Sequence, residues 1–245
     1  MSVNRFPWLI DAISTHQNIL FPSSSIIEGE LGLAKKELAK YFAQKLLCND
    51  DLAPCGVCNS CHYFLAGSHP DYCFLDRDSC SSVLHTYSKA KKDDLNSKKI
   101  EGVRALNEFM TMTNSVSEKR VGLVLDAHLM NINAQNALLK TLEELPANKH
   151  IVLVSNQRKY FLPTIYSRSS LISIKNPETS DLDKWISDQG YIDYSSLNFA
   201  PDSTPLEIEH LINNDLADQY MNICLLYTSD AADEGLGVDL GGRRI

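Results

Sequence analysis

Two uninterrupted apolar runs limit what this chain can fold into more than any other feature. They are Arg120-Val121-Gly122-Leu123-Val124-Leu125-Asp126 and His150-Ile151-Val152-Leu153-Val154-Ser155. A strand with one wet face alternates apolar and polar residues. Runs without alternation are covered on both faces, as in the centre of a parallel sheet. Helical spacing surrounds them. Ile100, Val103, Leu106 and Met110 form one stripe, residues 133–144 read as a second helix, and Leu38, Tyr41, Phe42, Leu46 and Leu47 mark a third within 33–47. Further strands are expected at 71–75, at 171–174, and in at least one of 19–21 and 25–27, which Pro22 and Gly29 bound. A short amphipathic helix opens the chain around Trp8–Ile13. Strands alternating with helices predict an α/β domain with a parallel sheet over 1–175. Residues 76–98 are polar and lysine-rich and read as a loop or exposed insertion. Past Asn176-Pro177 the pattern is helical only, at 180–189, 206–213 and 217–223, which predicts a second, small helical domain over 176–223.

Composition enters as a set of exclusions. The net charge of −8 and pI near 5.3 do not suit a strongly basic DNA-wrapping protein. The sequence has no run of 18 apolar residues and no signal peptide at its start, so a cytoplasmic protein with no membrane partner is expected. Seven cysteines in such a chain favour reduced thiols or a metal site over disulfides. Residues 224–234 (CLLYTSDAADE) and 238–245 (VDLGGRRI) resemble the in-frame translation of a transposon-end sequencing adapter. The expectation is that 224–245 is a non-native tail, that the natural frame was cut near Ile223, and that the natural protein is longer.

Three places carry chemistry. Gly29-Glu30-Leu31-Gly32-Leu33-Ala34-Lys35-Lys36 follows a strand and opens a helix, the setting in which backbone N–H groups hold phosphates. A working phosphate loop has Gly before the Lys and Ser or Thr after it for Mg²⁺. Here Ala34 and Lys36 stand in those places, and only Lys35 is of the expected type. The acid after the central strand is Asp126, followed by Ala127 where a nucleotide hydrolase has a second carboxylate. Gly29, Gly32, Lys35 and Asp126 therefore mark a degenerate nucleotide site with no functional ATP/Mg²⁺ binding expected. Second, Cys48-x6-Cys55-x2-Cys58-x2-Cys61 can close a tetrahedron around a structural Zn²⁺, with Gly56 and Asn59 permitting tight turns. His62 and His69 are alternative ligands, but four sulfurs already fill the site; Cys73 reads as a buried strand residue. Third, Arg168 follows a loop in Thr164-Ile165-Tyr166-Ser167-Arg168-Ser169, where an isolated arginine is ordinarily a solvated surface residue.

Pro7-Trp8-Leu9, the four-cysteine knuckle, Ser68-His69-Pro70-Asp71 and Asn136-Ala137-Leu138-Leu139-Lys140-Thr141-Leu142-Glu143-Glu144 together resemble the AAA+ clamp-loader subunits of bacterial DNA polymerase III, over residues 7–223. The resemblance implies an AAA+ P-loop-type parallel sheet flanked by helices, a zinc knuckle insertion at 48–61, a small helical lid domain, and a collar domain that this chain lacks. Within the family the tau/gamma type keeps an intact phosphate loop and Asp-Glu pair; Ala34, Lys36 and Ala127 place this chain with the type that has lost them. The resemblance also gives Arg168 a role. Ser167-Arg168-Ser169 matches the family's Ser-Arg-Cys motif with Ser169 for Cys, and its Arg acts as a finger in trans on the ATP of a neighbouring subunit. A second sensor arginine of the family has no counterpart around Asp202-Ser203-Thr204-Pro205.

The leading expectation is a non-catalytic stator subunit of the clamp loader, without intrinsic ATPase activity but part of a DNA-directed DNA polymerase holoenzyme. Its partners would be the tau/gamma and delta subunits and, through the complex, the sliding clamp and primed DNA. Two alternatives stand beside it. An active tau/gamma-type ATPase is opposed by Ala34 and Ala127. A zinc-knuckle nucleic-acid-binding module is opposed by the absence of Lys and Arg between Cys48 and Cys61, where Asp50 and Asp51 sit instead.

Overall fold

The computed structural model describes residues 3–17, 21–77 and 102–221. The readings made for 19–20, for 78–98, for Ile100, for 222–223 and for the tail 224–245 lie outside the described residues. The chain divides into two units, the first ending at Lys175 and the second beginning at Asn176.

The first unit is built on five parallel strands: β1 (Ser24–Glu28), β2 (Tyr72–Leu75), β3 (Arg120–Val124), β4 (Lys149–Ser155) and β5 (Ser170–Ser173), in the order β2-β3-β4-β1-β5. This is the parallel sheet flanked by helices that the sequence predicts. The uninterrupted runs form β3 and β4, each paired on both sides, and every residue of β3 is buried. Helices α1 (Ile10–Gln17), α2 (Lys35–Leu47), α3 (Asn59–Leu65), α4 (Val103–Thr111), α5 (Ile132–Glu143) and the one-turn α6 (Pro163–Tyr166) complete the unit. On one face, Leu106, Phe109 and Leu138 from α4 and α5 pack with Ile26, Val124 and Leu153. On the other, Ala43, Leu46 and Leu47 of α2 pack with Phe64 of α3 and Val121. Burial of these side chains contributes about 1.5–3 kcal/mol each before entropy is counted.

Three local readings need correction. Helix α3 was not anticipated, because the cysteine spacing hid a short Ser60/Cys61/Phe64 buried stripe. Asn59 is the first residue of that helix and makes no tight turn, whereas Gly56 does take a positive φ of 74°. The segment 171–174 is not a buried strand. β5 pairs only with β1 and lies at the sheet edge, where Ile172 alone of its four residues is buried.

The second unit contains α7 (Thr179–Asp188) and α8 (Pro205–Asn213), with helix continuing at 217–221. Leu182, Trp185, Ile186, Phe199, Pro205, Ile208 and Ala217 are buried apolar residues of this unit among the described residues. Thr204 and Glu207 form a capping box at the start of α8. Among the described residues no helix is long and apolar enough to cross a membrane.

Candidate functional site

The phosphate-loop segment joins β1 to α2 at the carboxyl ends of the strands, where open α/β sheets bind ligands. Gly29 is required there by packing: a Cβ at this position would lie 2.5 Å from the Ile174 carbonyl oxygen. Trp8, from the Pro7-Trp8-Leu9 segment, ties the loop down through its indole N–H, 3.1 Å from the Leu33 carbonyl. Ala34 sits at φ 56°, ψ 28°, a left-handed conformation that costs a non-glycine residue about 1 kcal/mol. The backbone thus keeps a glycine-type turn although the residue is alanine.

The two lysines that follow both bond within the protein, Lys35 buried and Lys36 partly exposed. Lys35 is buried, and its ammonium donates to the Glu30 carbonyl within the loop itself. Burial pushes its pKa down to about 8, against the opposing pull of Asp126. Lys36 Nζ lies 2.7 Å from Asp126 Oδ2. The residue in the hydroxyl position of a phosphate loop therefore places a fixed positive charge on the carboxylate that would serve Mg²⁺. The other carboxylate oxygen, Oδ1, accepts from Asn156 Nδ2 at 3.4 Å. Asn156, at the end of β4, was missed from the sequence, as was His128, whose Nδ1 accepts from the Asn156 N–H at 3.3 Å. Burial, aided by Lys35 and Lys36 and opposed by Asp126, lowers the pKa of His128. Gly32 has a positive φ of 86°. The predicted residues Gly29, Gly32, Lys35 and Asp126 do converge, but on a site satisfied by its own side chains.

The four cysteines also converge. Cys48, Cys55, Cys58 and Cys61 bring their sulfurs within 4.8 Å of one another, a cluster that could hold a metal ion. Cys48 Sγ is 3.6 Å from Cys55 Sγ and 3.8 Å from Cys58 Sγ. Backbone N–H groups point at the sulfurs: Cys55 N to Cys48 Sγ at 3.5 Å, Cys58 N to Cys55 Sγ at 3.4 Å and Cys61 N to Cys58 Sγ at 3.4 Å. Burial raises the Cys58 thiol, but the N–H donors of Cys61 and Asn49 outweigh it and hold the group at about 6. His62 and His69 are not in the cluster.

His69 instead joins the cysteine module to the sheet. Its Nδ1 accepts from Asp71 N at 3.0 Å, so Nε2 carries the proton and faces Ser60 Oγ at 2.8 Å and Ser117 Oγ at 3.1 Å. Both hydroxyls donate to the Leu47 carbonyl at 2.6 Å. Ser60 lies between Cys58 and Cys61, so this network anchors the knuckle to the end of α2. Asp71 is fully buried and accepts from the N–H groups of Ser115, Val116 and Ser117 and from Arg120 Nη2, at 2.7–2.9 Å. The Ser68-His69-Pro70-Asp71 segment is thus a structural brace.

Asp71 makes stability depend on acid. Burial pushes its carboxyl upward, but the three N–H donors and the Arg120 guanidinium prevail and hold it below its ordinary 3.8. A depressed carboxyl contributes stability above its unfolded value and loses it as pH falls through the folded one. Denaturant midpoints should therefore drop as pH is lowered below about 3.8, and Asp71→Asn should flatten that part of the profile. An unchanged profile in the variant would show that other groups govern the acid limb.

Arg168 follows α6 and does not extend freely from the surface. Its Nη2 lies 2.7 Å from Glu143 Oε1 at the end of α5, and its Nη1 donates to the Thr164 carbonyl at 3.0 Å and Ser167 Oγ at 3.3 Å. The side chain remains 35% exposed and that of Glu143 49%. Ser169, in the place of the family's cysteine, bonds Ser24 Oγ at 2.7 Å and so fastens this loop to β1.

Comparison with known proteins follows the same lines. A model of the family described as "DNA polymerase III, delta subunit" matches residues 12–178. A protein named DNA polymerase III subunit delta' from Pseudomonas aeruginosa is 34% identical over 145 residues, 58% of this chain and 40% of that protein. One of the same name from Haemophilus influenzae is 29% identical over 193 residues, 77% of this chain and 54% of that protein. The chain spans about half the length of these curated relatives. Among solved structures, a DNA polymerase III gamma subunit-related protein from Thermotoga maritima is similar at 19% identity and a TM-score of 0.45, covering 83% of this chain and 58% of that one.

Proposed function

Because the chain belongs to the family described as DNA polymerase III, delta subunit, and within it to the delta-prime type, we propose that it is a non-hydrolysing clamp-loader subunit that lends Arg168 to a neighbour's ATP. One observation supports this reading above the others. Lys36 Nζ stands 2.7 Å from Asp126 Oδ2, in the place a hydrolytic site keeps for its cation. Hydrolysis needs the metal to bridge phosphate oxygens and a carboxylate to orient water. Here an ammonium holds the metal's carboxylate and Ala127 stands in the place of the second. The tau/gamma-type reading is opposed by Ala34 and Ala127, and by this ion pair as well.

In this reading 1–175 is the AAA+ domain and 176–223 its helical lid. The partners are the tau/gamma and delta subunits, with the sliding clamp and primed DNA reached through the complex. The cysteine cluster takes Zn²⁺. With Zn–S near 2.3 Å a tetrahedron has edges of about 3.8 Å, and two sulfur pairs lie 3.6 and 3.8 Å apart. Four thiolates leave no open position, so the ion would hold the loop and perform no chemistry.

The test is ATP hydrolysis by the purified chain. Turnover should not rise above background with Mg²⁺ present. Turnover that Lys35→Ala abolishes would overturn the reading.

A further inference from the structure

Resting on the reading of Arg168 as a finger acting in trans, we propose that Glu143 is its positioning residue, holding the guanidinium in place for a phosphate brought by the neighbouring subunit.

Arginine carries five N–H donors in a rigid plane. Nη1 donates to the Thr164 carbonyl at 3.0 Å and Ser167 Oγ at 3.3 Å, and Nη2 makes an ion pair with Glu143 Oε1 at 2.7 Å. Nε–H and the N–H groups of Nη2 make no hydrogen bond among the described residues. The plane is therefore held at both terminal nitrogens while donors stay available for a phosphate.

The three partners belong to two elements that the fold fixes separately. Glu143 is the last residue of α5, whose Leu138 and Leu142 are buried in the core. Thr164 and Ser167 belong to α6 and its cap, where Pro163 sets the first turn and Ile165 is buried. A guanidinium spanning the two can be placed by neither alone.

Stability does not account for the pair. Both side chains are partly exposed, and exposed pairs stabilise little. A carboxylate at a helix C-terminus is also opposed by the helix dipole. What the pair supplies is orientation. A long, mobile side chain is ordered in the free subunit, so less freedom is lost when the neighbour's nucleotide arrives. Glu143 holds the guanidinium at Nη2 alone, and a γ-phosphate with more charge can share the cation without displacing it.

The experiment measures ATP turnover by a reconstituted clamp-loader complex in which a chain of the relatives' full length carries Glu143→Ala, Glu143→Gln, Arg168→Ala or the double change Glu143→Ala/Arg168→Ala. Glu143→Ala should lower kcat at the neighbouring site roughly 10–100-fold, leaving KM for ATP and the unfolding midpoint unchanged. Glu143→Gln should recover little of the loss, because the contact is an ion pair and the amide carries no charge. The double variant should match Arg168→Ala. If Arg168→Ala lowers kcat while Glu143→Ala leaves it unchanged or raises it, the positioning role is overturned and the finger stands. Losses that add in the double variant also overturn it. An unchanged kcat in Arg168→Ala overturns the finger and this inference with it.

Discussion

Stripping the metal from the cysteine module should unfold its loop while leaving the sheet intact. Zinc analysis of the purified chain is expected to give about one ion per chain, and Cys58→Ser to give almost none. The expectation follows from what surrounds the sulfurs. Leu52 and Val57, the large apolar side chains between Cys48 and Cys58, are 84% and 75% exposed, so no core holds this stretch. Structural zinc in small modules contributes about 10–16 kcal/mol of apparent binding energy, and nothing else here approaches that. Helix α3 has independent anchors in Phe64 and in the Ser60 hydroxyl bound to Leu47. Loss should therefore be local: a protease specific for Asp should cut rapidly at Asp50 or Asp51 once a chelator is added. A folded, metal-free preparation that resists such cleavage would contradict the assignment.

Some of this architecture was legible because its signals are local. Uninterrupted apolar runs became β3 and β4, and the cysteine spacing predicted the cluster of sulfurs. Other features join residues far apart in sequence. Lys36 and Asp126 are 90 positions apart, and nothing near either says that one ammonium will reach the other. Arg168 and Glu143 meet only because α5 and α6 pack together. The Asp71–Arg120 pair did leave a trace. Each residue directly precedes an apolar strand run, and Tyr72 pairs with Val121 in parallel register, so the two charges fall side by side. Reading strand starts for opposite charges would have found it. Helix α3 was missed because Cys61 was accounted for as a ligand and only Ser60, Cys61 and Phe64 of its seven residues are buried.

Arg168→Ala should leave this chain folded and cripple a neighbour. The guanidinium is half-exposed, and its ion pair with Glu143 contributes at most about 1 kcal/mol, so the unfolding midpoint should hardly move. In the complex the consequence is of another order. An arginine finger lowers the barrier to γ-phosphate transfer by spreading its charge, and its loss costs roughly 10³–10⁵-fold at the site it serves. Whole-complex turnover should fall less, since other subunits keep their own arginines. The proposed reading assigns the effect to the partner, because Lys36 occupies the Asp126 carboxylate of this chain's own loop.

The most direct test of that division of labour is ATP turnover by the reconstituted complex, comparing Lys35→Ala with Arg168→Ala in a chain of full length. In the proposed reading no nucleotide chemistry occurs at the Gly29–Lys36 loop, so Lys35→Ala should leave turnover at the wild-type rate, whereas Arg168→Ala should abolish the contribution of the adjacent subunit. A large loss with Lys35→Ala and none with Arg168→Ala would mean that this chain hydrolyses its own nucleotide.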